Sequence, residues 1–205
     1  MALETELKLR IDPGAVSALR QHPLLGSSPK QQHLYNTYFD TDDLALTRQK
    51  VAVRERRVDD QTLLTVKTAG HSQGGLSQRQ EWEAPTRPGA FDFKRLVDDV
   101  PLANDLARIA DHLVPIFTTD FERLSWLLAL NQGTVEVALD RGIIEVTRHG
   151  QTAHQSICEL ELELKSGDNA ALTALAAELS AVITLEPSDN SKAARGYALF
   201  NYLAI

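Results

Sequence analysis

Only one cysteine occurs in the 205 residues, so Cys158 has no internal disulfide partner and no multi-cysteine metal site can form. A reducing, cytoplasmic setting is expected from that scarcity. Long hydrophobic runs are missing too: nothing approaches the roughly 20 apolar residues that cross a bilayer. Met1-Ala2-Leu3-Glu4-Thr5-Glu6 carries acid where a secretory signal carries base. With 11 Gly and 8 Pro, the chain has too little of either for long disordered tracts. Basic runs stop at Arg56-Arg57 and the net charge is −7, which speaks against duplex nucleic acid, whose binding rests on phosphate neutralisation. Absent as well are the His-Glu-x-x-His zinc spacing, a Gly-x-Ser-x-Gly elbow and, after Gly70 to Gly75, the lysine of a P-loop. Asp40-Thr41-Asp42 opens like a calcium loop, but Ala45 stands where Gly is needed and Val51 where Glu is needed.

The charge that is present is unevenly placed. Residues 1–100 hold 14 Lys+Arg and 14 Asp+Glu, whereas 101–205 hold 7 and 14. The main pattern is period-two alternation. Leu3, Thr5, Leu7, Leu9 and Ile11 share one strand face, and Glu4, Glu6, Lys8 and Arg10 share the other. Cys158, Leu160, Leu162 and Leu164 are likewise opposed to Glu159, Glu161, Glu163 and Lys165. Further strands are expected near 34–39, 51–58, 62–68, 77–84, 117–129, 134–140 and 143–148, several with the same division of faces. Asp59-Asp60, Gly70 to Gly75, Asn131-Gln132-Gly133 and His149-Gly150 punctuate them.

Helices are fewer. Asp12-Pro13 predicts a helix to about Gln21. Asp168 is placed to cap another, with Leu172, Leu175, Ala176, Leu179, Val182 and Ile183 as its apolar stripe. A third starts at Ser191 and brings Lys192 and Arg195 to one face, and 101–112 is also helical in pattern. Without repeats or an evident linker, the expectation is one α+β domain over residues 1–205.

Five glutamates from the two charged strands would repel unless a cation sat among them. Carboxylates two residues apart on a strand lie about 7 Å apart on one side. Mg²⁺ suits that environment, since it takes carboxylate oxygens and shares its shell with water and phosphate. Arg54, Arg56, Lys67, Arg79 and Arg123 have the parity to face the same space from other strands. A closed sheet of about eight strands encloses one small ligand. A polar-inside barrel with metal and polyphosphate, and with amphipathic helices on its apolar outside, accounts for both charge signs. Arg57 has the opposite parity, and Trp82, Trp126 and Cys158 read as packing residues. Arg10 and Lys165, at strand ends, read as solvated.

These residues also carry a family resemblance. Glu4-Thr5-Glu6-Leu7-Lys8 is similar to the N-terminal Glu-x-Glu-x-Lys of the CYTH superfamily, the triphosphate tunnel metalloenzymes. In order there follow Tyr38-Phe39-Asp40-Thr41, Arg54-Glu55-Arg56, Thr65-Val66-Lys67, Arg79-Gln80-Glu81 and Phe121-Glu122-Arg123. Ala138-Leu139-Asp140-Arg141-Gly142, Glu159-Leu160-Glu161-Leu162-Glu163 and Ser191-Lys192-Ala193-Ala194-Arg195-Gly196-Tyr197 complete the set. The resemblance implies an eight-stranded antiparallel β-barrel, a tunnel with a charged interior and helices packed outside. It implies two Mg²⁺ or Mn²⁺ ions, one held by Glu4, Glu6 and Glu159 to orient the triphosphate. Glu159, Glu161 and Asp140 would serve the second, whose bound water attacks a terminal phosphorus. With Lys8 added, Glu4, Glu6, Asp140, Glu159 and Glu161 form the implied catalytic set. Lys8, Arg54, Arg56, Lys67, Arg79, Arg123, Lys192 and Arg195 would grip phosphate oxygens, and Glu81 and Glu163 would orient those bases. Asp140 also has a plainer reading, as the cap of a turn at Arg141-Gly142. Arg195 has one as a helix-surface base.

In detail the chain looks most like the catalytic domain of bacterial inorganic triphosphatases, in which a helical CHAD domain usually follows. Gly74-Gly75-Leu76-Ser77-Gln78-Arg79 and Pro115-Ile116-Phe117-Thr118-Thr119-Asp120-Phe121 carry that likeness. The expected reaction is hydrolysis of inorganic triphosphate to pyrophosphate and phosphate, by a monomer or homodimer without nucleic-acid or membrane partners. Alternatives are a class IV adenylate cyclase, a thiamine triphosphatase and a non-catalytic polyphosphate-binding module. No aromatic pair is clearly placed for a nucleoside, no Trp lies near Arg54–Arg56 for a thiazolium, and every metal-ligand position is filled.

Overall fold

In the computed structural model, which describes residues 2–26 and 28–203, alternation of apolar and charged side chains becomes a closed sheet. The chain runs β1 (Ala2–Ile11), α1 (Val16–Arg20), β2 (Lys30–Asp40), α2 (Ala45–Arg48), β3 (Ala52–Val58), β4 (Gln61–Lys67), β5 (His71–Gln73) and β6 (Leu76–Thr86). It continues through α3 (Phe93–Leu96), α4 (Val100–Ile109), β7 (Val114–Leu130), β8 (Gly133–Arg148), β9 (Gln151–Gly167), α5 (Ala170–Ser180), β10 (Leu185–Pro187) and α6 (Lys192–Tyr202).

The sheet order β1-β9-β8-β7-β2-β3-β4-β6 closes because β6 pairs back onto β1, with Glu4 opposite Arg79. All pairings are antiparallel. Eight strands therefore form a barrel with helices, an α+β architecture. Short β10 continues the β1 seam at Leu9–Ile11, and β5 extends β6. Where the β6 and β10 pairings meet, the Lys8 amide donates to Gly75 O (2.9 Å) and its carbonyl accepts from Ser188 N (3.0 Å). The Asp189 carboxylate pins the adjoining hairpin through Ser72 Oγ (2.6 Å) and Gly75 N (2.9 Å). That junction fixes which way the Lys8 side chain points.

The apolar rows face outward and are buried under helices. Leu7, Leu9, Leu160, Leu162, Val137 and Leu139 pack against Leu172, Leu175 and Leu179 of α5 and Leu19 of α1. Val53, Leu64, Val66 and Trp82 pack against Leu46, Phe93, Val97 and Leu106 from the α2, α3 and α4 region. Removing a side chain such as Leu175 to Ala would cost about 2–5 kcal/mol. Val182, placed by periodicity in the α5 stripe, is instead 65% exposed, because the helix ends at Ser180 and the chain turns there.

Three other expectations are corrected or refined. No turn forms at Arg141-Gly142; β8 runs unbroken from Gly133 to Arg148. Gly142 is demanded by close approach, since a Cβ there would lie 2.1 Å from Asp120 O and 2.5 Å from Phe121. The Asp12 start is real, with Asp12 Oδ1 accepting from Gly14 N (2.7 Å), but it opens a 3₁₀ turn, Pro13–Ala15, before the short α1. Asp168 accepts from Ala170 N (2.8 Å), while the residue at the N-cap position of α5 is Asn169. Among the described residues no helix is long and apolar enough to cross a membrane.

Candidate functional site

The charged rows line a cavity of about 830 Å³ enclosed by the barrel. Nine basic and seven acidic residues face it, so the lining carries a net positive charge suited to an anion. Strand alternation alone places them. Glu4, Glu6 and Lys8 come from β1, Arg54 and Arg56 from β3, Lys67 from β4, and Arg79, Glu81 and Glu83 from β6. Arg123, Glu136, Glu161 and Glu163 come from β7, β8 and β9, and Lys192 from the first position of α6.

One end of the interior turns apolar. Phe121, Ile144 and Ile157 continue the parity of Arg123, Asp140 and Glu159, and they pack in one cluster with Tyr38, Phe117 and Tyr197 of α6. Gly196 lets α6 seat there, because a Cβ would lie 2.2 Å from the Phe117 ring. Ser191 caps the helix, its hydroxyl accepting from Ala194 N (3.0 Å). The cap puts Lys192 beside the acids.

Two charge clusters result. In the first, Lys67 Nζ meets Glu4 (2.9 Å) and Glu81 (2.8 Å), and Arg79 meets Glu4 (2.7 Å) and Glu6 (2.8 Å). In the second, Asp140, Glu159 and Glu161 each offer an oxygen within 4.8 Å of the others. Asp140 and Glu159 are buried, at 0% and 2% exposure. Arg123 reaches Asp140 (2.7 Å) and Glu161 (2.6 Å), and Arg195 reaches Glu159 (2.9 Å). Lys192 Nζ contacts Asp140 (2.6 Å), Glu159 (2.5 Å) and Glu161 (3.0 Å). Lys8 Nζ joins the clusters, 3.2 Å from Glu6 and 4.0 Å from Glu161. The Asp140–Glu159–Glu161 group fits a hard divalent cation: three converging carboxylates on rigid strands, with an open side toward the cavity at Glu161.

Proton affinities follow from this pairing. Burial alone would raise the Glu161 carboxyl, but Lys192, Arg123 and Lys8 hold it well below the usual carboxylate range. Burial is likewise outweighed at Glu81, lowered by Lys67 and Arg54, and at Glu83, lowered by Arg54 and Arg56. Arg56 is different. Burial, then the like charges of Arg54 and Arg123, bring its guanidinium down to about 10. It makes no ion pair among the described residues; its Nε donates to Asn36 Oδ1 (2.9 Å). A half-buried cation without an ion pair is poised for an incoming anion.

Every expected site residue is in or beside the barrel interior, but Glu4 and Glu6 stand with Lys67 and Arg79 and are not in the triad of Asp140, Glu159 and Glu161. Arg195 does not line the cavity; it backs Glu159 and donates to Gln155 and Ser156 O. Glu81 holds Lys67, whereas Glu163 holds Lys165 (2.8 Å), which is also paired with Glu136 (2.8 Å). Lys165 is exposed, as expected, and also stands at one end of the cavity with these two glutamates. Arg10 is exposed and pairs with Glu186, and Arg57 lies outside over the Tyr35 ring. The sequence pattern gives no site role to Glu83, Glu136, Asn36 and Tyr38. Glu83 shares the strand face of Arg79 and Glu81, Glu136 shares that of Asp140, and Tyr38 shares that of Asn36. Asp40, within the same motif, is structural: buried, it accepts from Thr41 N, Leu46 N and Thr47 N and Oγ1.

The CYTH domain family model matches residues 2–197. An inorganic triphosphatase of Haemophilus influenzae is 35% identical over 211 residues, covering 97% of this chain and 55% of that protein. The chain thus spans about half the length of that curated relative. Among solved structures, a Hippeastrum protein, described as revealing a dominant triphosphatase activity, superposes with TM-score 0.68 at 22% identity, over 97% of this chain and 95% of its own. A Pyrococcus horikoshii protein gives TM-score 0.56 at 16% identity, over 97% and 98%. At those identities the structures speak for the fold. The tunnel geometry and the match over nearly the whole chain agree, and the protein belongs to the CYTH domain family.

Proposed function

We propose that the barrel hydrolyses inorganic triphosphate to pyrophosphate and phosphate with Mg²⁺ or Mn²⁺. The observation that carries this reading is a cavity lined by nine basic residues, in which Arg56 makes no ion pair among the described residues and Glu161 brings the Asp140–Glu159–Glu161 triad to the wall. The Haemophilus influenzae relative, named an inorganic triphosphatase, supports the choice of substrate.

Phosphoryl transfer asks mainly for positioning and charge stabilisation. Arg54, Arg56, Arg79 and Arg123 offer planar forks for phosphate oxygens, and Lys8, Lys67 and Lys192 offer point charges. Asp140, Glu159 and Glu161 would hold one ion, and Glu4 and Glu6 would help hold a second once released from Lys67 and Arg79. A divalent ion bound there supplies Lewis-acid polarisation of a phosphoryl oxygen and makes water more acidic. Glu81, Glu83 and Glu163 keep the bases aimed inward. In this reading residues 1–205 form one tunnel domain, and a single cysteine suits a cytoplasmic setting.

The test is phosphate release from equal concentrations of inorganic triphosphate, ATP and thiamine triphosphate, each with Mg²⁺, Mn²⁺ or excess chelator. Chelator-sensitive preference for inorganic triphosphate is expected. A cyclic nucleotide formed from ATP would instead make the protein a cyclase.

A further inference from the structure

Lys192 stands in the wrong place for a helical lysine. It is the first residue of α6, where the helix macrodipole disfavours a cation. What holds it there is the carboxylate triad, since its Nζ lies 2.5–3.0 Å from Asp140, Glu159 and Glu161 alike. These are the same three residues whose oxygens converge as a cation site. One small volume cannot hold an ammonium and a divalent ion together.

Charge counting leads to the same point. The three carboxylates are met by Arg123 and Arg195, which leaves one negative charge, and Lys192 balances it. A divalent ion in its place overshoots by one. The freed ammonium has somewhere to go, because Lys192 also lines the main cavity. Its four-carbon stem can swing while α6 stays seated by Gly196 against Phe117 and by the Arg195–Glu159 pair.

Resting on the metal-dependent reading above, we propose that Lys192 is a tethered counter-ion that a divalent cation must displace from Asp140, Glu159 and Glu161. Displacement turns the ammonium toward the triphosphate, so that Lys192 acts as a positioning residue. Metal and polyphosphate then bind with positive coupling, and each raises the affinity of the other by the same factor. If Lys192 fills the triad about nine-tenths of the time, the apparent metal affinity is about tenfold below the intrinsic one.

The experiment is calorimetric titration of the triphosphate-free protein with Mn²⁺, for wild type, Lys192→Met, Lys192→Arg and Lys67→Met. Lys67→Met reports the general effect of removing one cavity cation. Lys192→Met should bind Mn²⁺ about tenfold tighter than wild type and clearly tighter than Lys67→Met, and Lys192→Arg should restore weak binding. A second measurement needs no variant: acylation of Lys192, read by mass spectrometry, should speed up when Mn²⁺ is added to wild type. Equal Mn²⁺ affinities of Lys192→Met and Lys67→Met, or Mn²⁺-independent acylation, would overturn the proposal. Turnover of triphosphate by wild type is scored separately, so failure of the hydrolase reading is visible on its own.

Discussion

Arg123 and Asp140 lie opposite each other in the β7–β8 ladder, and Nε and Nη2 of the guanidinium each stand 2.7 Å from one oxygen of the carboxylate. This bidentate pair is fully desolvated on the acid side, with Asp140 at 0% exposure. Breaking one partner of such a pair strands the other charge. Asp140→Asn should therefore destabilise the barrel by about 3–5 kcal/mol, read as a lower urea midpoint. It should also weaken Mn²⁺ binding; an unchanged Mn²⁺ isotherm would remove Asp140 from the cation site.

Arg56 predicts the opposite balance. Its charge is opposed by burial and by Arg54 and Arg123, and it makes no ion pair among the described residues, its Nε donating to the Asn36 amide oxygen. Arg56→Ala should leave the melting temperature unchanged or raised. A lost charge-assisted contact of about 1.5–3 kcal/mol raises KM for triphosphate roughly ten- to a hundredfold. Steady-state kinetics and a thermal melt check both halves, and a normal KM would contradict the assignment.

Gly196→Ala sets two effects against each other. Helix propensity favours Ala over Gly by about 1 kcal/mol. The new Cβ, however, meets the Phe117 ring at 2.2 Å, and that ring is stacked on Tyr38 with centroids 4.4 Å apart. Overpacking of about 1–3 kcal/mol should win, lowering the melting temperature. A more stable variant would show that α6 does not bear on Phe117.

Stability should also fall in acid. Glu81, Glu83 and Glu161 have folded-state values below the ordinary carboxylate range, because neighbouring Lys and Arg outweigh burial. Their stabilisation is complete above the unfolded value of about 4.3 and is lost as pH falls through the folded values. Urea midpoints should be flat near pH 6–8 and drop below about pH 5. A midpoint at about pH 4 equal to that at neutrality would mean these pairs contribute nothing net.

Much of the barrel was legible because a strand has only two faces. Glu4, Glu6, Lys8, Glu159 and Glu161 could be assigned to one interior by parity, and the opposing leucines to a helix-covered exterior. Parity is silent on partner choice. Whether Glu4 meets a metal or Lys67 depends on side-chain rotamers across the cavity, which no spacing encodes. Lys165 is exposed, as a strand end implies, but β9 extends to Gly167 and holds it in an ion pair with Glu136 that parity does not announce. The helices α2 and α3 span four residues each, too short for a 3.6-residue period to register. Gly142 imitates a turn signal because a glycine needed for close packing and one needed for a bend look alike in sequence.

The seam at β1 has a consequence for biosynthesis. The first strand is hydrogen-bonded to β6 and to β9, so its second partner emerges roughly 150 residues later, about 8–30 s at ordinary synthesis rates. Through that interval one edge of β1 has no mate, and the leucines that will meet α5 lie bare. The ring is thus completed late and by its most distant pair, which makes barrel closure a slow step governed by topology and not by local propensity. Until β9 arrives, the acids of Glu4 and Glu6 have no tunnel to face.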